Sequence, residues 1–197
     1  MKELSTPLAS WTLSSATSPW LSSTAIVLAG SAFVAVCSHV ALPLWFTPVP
    51  LTLQPFAVLL LGLLVAPRLA AVTLCPYLAE GALGLPVFAP GLTFTGGMAH
   101  LFGPTGGYLL AYPAAAMLIS FLWRRTSGGF SSALASAAIG NLVILICGAL
   151  WLAAFTHVPV RSAITLAVVP FLPGDALKVV AAAALASGFR RMRRHDA

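Results

Sequence analysis

Apolar positions in this chain come as long runs, and proline, glycine or arginine marks where each run stops. The first occupies residues 23–42 (STAIVLAGSAFVAVCSHVAL). It ends where Pro43, Pro48 and Pro50 remove backbone donors and disfavour helical geometry in the residues before them. The second, 51–66, is closed by Pro67 and Arg68. The third, 69–85, leads into a Gly/Pro-rich connection over 86–107 (PVFAPGLTFTGGMAHLFGPTGG). The fourth, 108–123, is closed by Arg124 and Arg125, and the fifth, 132–155, by the turn THVPVR. The sixth starts near Ser162, contains Pro170 and Pro173, and ends at RRMRRHDA.

Runs of this length fit helices that cross a hydrocarbon core, which takes about 20 apolar residues. They lack the alternation over segments of about ten residues that marks a transmembrane barrel. The pattern therefore predicts an all-α, integral membrane bundle of six transmembrane helices in a single domain over 22–189. Residues 1–21, rich in Ser and Thr with Trp11 and Trp20, read as a mobile or interfacial cytoplasmic leader, and 190–197 as a basic cytoplasmic tail.

Composition agrees: 59% of the residues are hydrophobic and 7% charged, against about 25% charged in ordinary soluble domains, and the mean hydropathy is +0.98. The formal net charge of +6 does not point to nucleic acid, because the basic residues sit at helix ends and are not interleaved with base-reading polar residues. Their distribution instead tests the topology. With six spans, Lys2, Arg68, Arg124, Arg125, Arg190, Arg191, Arg193 and Arg194 fall on one side and only Arg161 in a loop on the other. Both termini are then cytoplasmic. Cys37, Cys75 and Cys147 lie in apolar runs without close pairing, and His39, His100 and His157 lack ligand spacing, so no metal is expected. No P-loop, HExxH or GxSxG motif is present, so no ATP site of P-loop type and no hydrolase chemistry are expected in this chain.

Against that background, FLPGDALKVV at 171–180 is conspicuous. Asp175 and Lys178, three apart, share one helical face. Counted back from Arg190 at 1.5 Å per residue, Asp175 lies about 22 Å above the cytoplasmic boundary, in the outer half of the bilayer. Ionisable groups at such depth need partners. The pair either holds helices together or meets a small polar ligand, and the helix-breaking PFLPG before it favours the ligand by placing Asp175 at the positive end of a final half-helix. Other polar candidates carry two readings each. Asn141 is an interhelical hydrogen bonder or a ligand contact. Glu80 and Tyr77 are interfacial residues or contacts. Gln54 caps the second helix or lines its mouth. FGPTGGY, with Gly106, Gly107 and Tyr108, is a tight turn or a source of exposed backbone N–H groups. The long connection before the fourth helix, with Phe88, Phe94 and Phe102, has the length of a lid. Ala25, Ala29, Ala32 and Ala35 form a small-residue face on the first helix, suited to close helix packing within the chain or with a partner.

Several stretches together resemble one family, the BioY biotin transporters, which are substrate-binding S components of energy-coupling factor (ECF) transporters. They are PVPLTLQPFAVLLLGLLVAPRLA, YLAEGALGLPVFA, FGPTGGYLL, GNLVI with the later WLA, and PFLPGDALK, in order over residues 47–180. The resemblance implies a six-helix S component of the bacterial plasma membrane with an outward-opening biotin site. It makes Asp175 and Lys178 central binding residues, followed by Asn141 and the GPTGGY backbone. Lys178 would meet either the biotin carboxylate or the ureido oxygen. It further implies no cofactor in this chain, ATP hydrolysis by separate ATPase subunits, and coupling through a transmembrane T component that docks on alanines such as Ala25 and Ala29. A solitary carrier working without that module, or an S component for another vitamin, is the alternative.

Overall fold

A computed structural model of the chain describes residues 19–90, 96–126 and 128–195. Residues 1–18 of the expected leader, Lys2, Phe94 and the last two residues of the basic tail lie outside them. The described chain is mostly helical, in the order α1 (Pro19–His39), β1 (Ala41–Leu42), β2 (Leu51–Thr52), α2 (Gln54–Leu64), α3 (Pro67–Ala82), α4 (Met98–Leu101), α5 (Gly106–Arg124), α6 (Phe130–Thr156), α7 (Val160–Ala167), a 3-10 turn (Val169–Phe171) and α8 (Leu172–His195).

Helix boundaries follow the proline and glycine punctuation. Pro55 occupies the first turn of α2 and Pro67 that of α3, where a missing N–H leaves no intrahelical bond unmade. Val65 and Ala66 are extended between them, as a residue preceding proline prefers. Gly84, at φ +93°, turns the chain after α3 in a conformation that costs other residues steric strain.

Four segments among the described residues are long and apolar enough to cross a membrane: Trp20–His39, Gly106–Arg124, Phe130–Thr156 and the continuous stretch Val160–Arg193. The second and third expected spans are shorter helices, α2 with 11 residues and α3 with 16. The sixth is divided into α7, the 3-10 turn and α8. Proline explains both differences, since Pro67 sets the α2–α3 corner and Pro170 and Pro173 interrupt the last run. A further departure is a small antiparallel ladder, Ala41↔Thr52 and Leu42↔Leu51, where helices alone were expected. The proline-rich 43–50 segment turns back on itself, and the backbone groups flanking it find partners in each other, reinforced by Leu53 N–H to Val40 O at 3.0 Å.

The long helices pack around α5, which meets α2, α3 and α6, while α8 closes the bundle against α2 and α6. Two buried clusters follow one another along α5. One, with Val58, Leu74, Tyr77, Tyr108, Tyr112 and Ile144, surrounds the first half of the helix. The other, with Leu59, Ile119, Trp123, Ala133 and Ala182, fills its second half. In α1, Gly30, Ser31 and Val34 turn inward, whereas Ala25, Ala29 and Ala32 are exposed.

Candidate binding site

The chain enters α8 through the 3-10 turn, so Asp175 lies in the first turn of that helix, where the macrodipole favours a negative charge. Lys178 Nζ donates to Asp175 Oδ1 at 2.8 Å, and Asn141 Nδ2, from α6, donates to Asp175 Oδ2 at 3.2 Å. The amide orientation of Asn141 is the one this neighbour demands, because its carbonyl oxygen turned toward the carboxylate would meet another acceptor. All three side chains are buried, with Lys178 at 9% and Asp175 at 4% exposure. Asn141 Oδ1 is buried with no hydrogen-bond partner among the described residues.

The triad therefore retains unused capacity. Lys178 has two donors beyond the one given to Asp175, and both carboxylate oxygens keep free lone pairs. A cationic donor and an anionic acceptor stand side by side within one buried wall. An arrangement of this kind is complementary to a ligand edge that carries an N–H beside a carbonyl oxygen.

Asp175 and Lys178 line a pocket of about 510 Å³, counted with its open mouth. On the opposite side Gln54, at the start of α2, is held by two neighbours. Its Nε2 donates to the Tyr77 hydroxyl, and its Oε1 accepts from Thr52 Oγ1 at 3.3 Å. Tyr77 is fully buried behind the wall and packs edge-on to Phe88. Tyr108 contributes its ring to the pocket and donates its hydroxyl to Ala167 O at 2.6 Å, which ties α5 to the end of α7. Tyr112, Ile144, Leu145 and Phe171 supply most of the remaining apolar surface, and His100, tilted over Phe88 at 5.1 Å between centroids, also faces the pocket.

The structure thus brings Asp175, Lys178, Gln54 and Tyr108 to one cavity, with Asn141 and Tyr77 bonded directly to residues of its wall. Three other candidates sit elsewhere. Glu80 Oε2 accepts from Ser31 Oγ at 3.0 Å and joins α3 to α1. Gly106 and Gly107 pack against α6, where a Cβ on Gly107 would stand 2.2 Å from Trp151 Cβ and 2.6 Å from Cys147 O. Tyr112 and Phe171 are not singled out by the sequence reading; spacing holds the signal for Tyr112, four residues after Tyr108 on α5 and so on its helical face, whereas Phe171 reaches the pocket from the 3-10 turn before α8.

The model of the BioY family matches residues 7–195. The probable biotin transporter BioY of Pyrococcus horikoshii is 41% identical over 139 residues, covering 71% of this chain and 79% of the relative. The biotin transporter BioY of Thermotoga maritima is 35% identical over 162 residues, covering 82% and 92% respectively. Among solved structures, the S-component for biotin from an ECF-type ABC transporter is similar at a TM-score of 0.79 and 26% identity, covering 87% of this chain and 92% of that one. With a family match that runs from ahead of the first helix to the end of the last, this chain belongs to the BioY family.

Proposed function

We propose that this chain takes up biotin across the plasma membrane, capturing it in the α8 pocket as the S component of an ECF transporter. The observation that carries the reading is the buried Asp175–Lys178–Asn141 constellation facing a pocket whose other surface is largely apolar. It is supported by the biotin transporters to which the chain is similar. The ureido ring of biotin presents an N–H next to a carbonyl oxygen, the edge that the adjacent Asp175 acceptor and Lys178 donor fit. Tyr108, Tyr112, Phe171 and Ile144 would then surround the thiophane ring and valeryl chain. Pairing Lys178 with the ureido oxygen leaves the biotin carboxylate toward the mouth, where water solvates it.

Calorimetric titration of the purified, detergent-solubilised chain tests this. Biotin is expected to bind at one site per chain, and biotin methyl ester to keep most of that affinity. No heat with biotin from folded protein would sink the assignment, and a large loss with the ester would move Lys178 to the carboxylate.

In this reading the two shorter helices α2 and α3 complete six spans, with α7, the 3-10 turn and α8 forming the last. The arginine bias sets both termini in the cytoplasm of a bacterial cell. The chain itself performs no chemistry and needs no cofactor, and ATP is hydrolysed by partner ATPase subunits. The T component docks on α1, where Ala25, Ala29 and Ala32 are exposed and small enough for close helix approach. Ala29→Trp is expected to leave biotin titration unchanged and to reduce ATP-driven uptake by at least about tenfold in cells carrying the full module, a bulky ring holding the backbones apart. Unchanged uptake would remove this face from the coupling path.

A further inference from the structure

The arginine-bearing end of the bundle holds a second cleft, remote from the biotin pocket and sharing no lining residue with it. Its volume is about 1000 Å³ counted with its open side, and it lies between the ends of α2, α5 and α8. Arg124, Arg190 and Arg193 stand around it above a floor of Leu63, Leu64 and Phe189.

Two of the three guanidinium groups are held in place. Arg124 Nε donates to Ser120 Oγ at 3.3 Å, and that buried hydroxyl is itself anchored on Val65 O at 2.6 Å. The Arg190 guanidinium lies 5.0 Å from the centroid of the Trp123 ring on one side and against Gly128 on the other, close enough that a Cβ there would meet it at 2.4 Å. Arg193 stands 5.9 Å from the Phe189 ring centroid. Among the described residues the carboxylates are Glu80 and Asp175, both engaged elsewhere, with Ser31 and with Lys178 and Asn141. The C-terminal dipoles of α2, α5 and α8 offset about half a charge each, which leaves the three cations around the cleft about half compensated. Ordered guanidinium groups converging on a concave surface fit phosphate oxygens.

We propose that this cleft binds the headgroup phosphate of an anionic glycerophospholipid. Charge complementarity selects an anion, and the floor selects a lipid over a free ion: Leu64 and Phe189 are 43% and 49% exposed on the bundle's flank, positioned for an acyl chain beneath the phosphate. Basic pockets between helices near the cytoplasmic interface recognise anionic headgroups through this pairing of cations above and hydrocarbon below.

The test is native mass spectrometry of the purified chain exposed to an equimolar mixture of phosphatidylglycerol and phosphatidylcholine. The wild-type chain is expected to retain phosphatidylglycerol in clear preference. Arg124→Gln/Arg190→Gln/Arg193→Gln is expected to lower that preference by at least about tenfold, with Arg161→Gln unchanged and biotin titration of the triple variant reporting its fold. The single variant Arg190→Ala gives a smaller loss in the same direction and keeps the test open where the triple variant does not fold. Absence of preference in the wild type, equal preference in the variants, or displacement of the lipid by millimolar inorganic phosphate would each overturn the proposal, the last by assigning the cleft to a free anion.

Discussion

Asp175→Asn is expected to weaken biotin binding by about ten- to a hundredfold and to lower the melting temperature of the chain, whereas Asp175→Asn/Lys178→Met is expected to recover much of the stability and none of the lost affinity. The single change keeps the shape of the side chain and removes its charge. Lys178, 9% exposed, then loses the carboxylate at 2.8 Å that balances it. Breaking a buried pair by removing one partner costs about 3–5 kcal/mol, because the remaining charge stays desolvated. The ligand separately loses a hydrogen bond to a charged group, about 1.5–3 kcal/mol, and at about 1.4 kcal/mol per factor of ten its affinity falls by roughly one to two orders of magnitude. Asn141 adds to the effect, since its Nδ2 donates to the same carboxylate.

Replacing both members of the pair removes the orphaned charge and leaves an uncharged amide at position 175 that can still accept from Asn141, and exchanging a buried ion pair for uncharged groups is often neutral for stability. Recognition does not return, because the charged acceptor and the charged donor are both gone, and hydrogen bonds to ionised groups are about twice as strong as neutral ones. Paired thermal melts and biotin titrations of the two variants read out both quantities. A single variant that binds biotin like the wild type would show that the pair is a structural clamp.

The second large effect concerns α5 against α6. Gly107→Val is expected to prevent accumulation of folded protein, and Gly107→Ala to lower the melting temperature markedly. The added carbon would lie 2.2 Å from Trp151 Cβ and 2.6 Å from Cys147 O, and both obstacles are at or next to the α6 backbone, where rotamer changes give no relief. Overpacking of this kind costs about 1–3 kcal/mol or more, and separating the helices would also disturb the Tyr108 ring, which fits against Gly148. Gly188 supplies the control. It lies within α8 with nothing near its would-be Cβ, so Gly188→Ala is expected to be neutral or to stabilise by up to about 1 kcal/mol. Equal melting of Gly107→Ala and wild type would show that the helices part easily there.

These two positions also mark how far sequence reasoning reached. Asp175 and Lys178 were legible because a carboxylate and an ammonium three apart in an apolar run have little choice but to meet, and the structure places them 2.8 Å apart. Gly107 was equally visible but its surroundings were not. As part of GPTGGY it read as a turn or an exposed N–H donor, and the structure sets it against Trp151 and Cys147, forty and more residues away. Glu80 likewise read as interfacial or ligand-facing, and its partner Ser31 lies 49 residues earlier. Sequence alone allows Gln54 either to cap α2 or to line its mouth. Its contact with the Tyr77 hydroxyl, joining α2 to α3 at the end away from their corner, turns it to the pocket wall.

The sequence by itself determined that this chain is a helical membrane protein, where its apolar runs stop, and that one ion pair is buried near the start of the last helix. Those properties rest on local chemistry: hydrocarbon solvates only apolar side chains, proline cannot continue a helix, and neighbours on one helical turn must touch. Only the tertiary structure decided which runs shorten into α2 and α3, which residues wall the pocket, and that Asn141 reaches Asp175 from another helix. Those outcomes depend on how closely two helices approach, and that distance is set by side chains far apart in the chain.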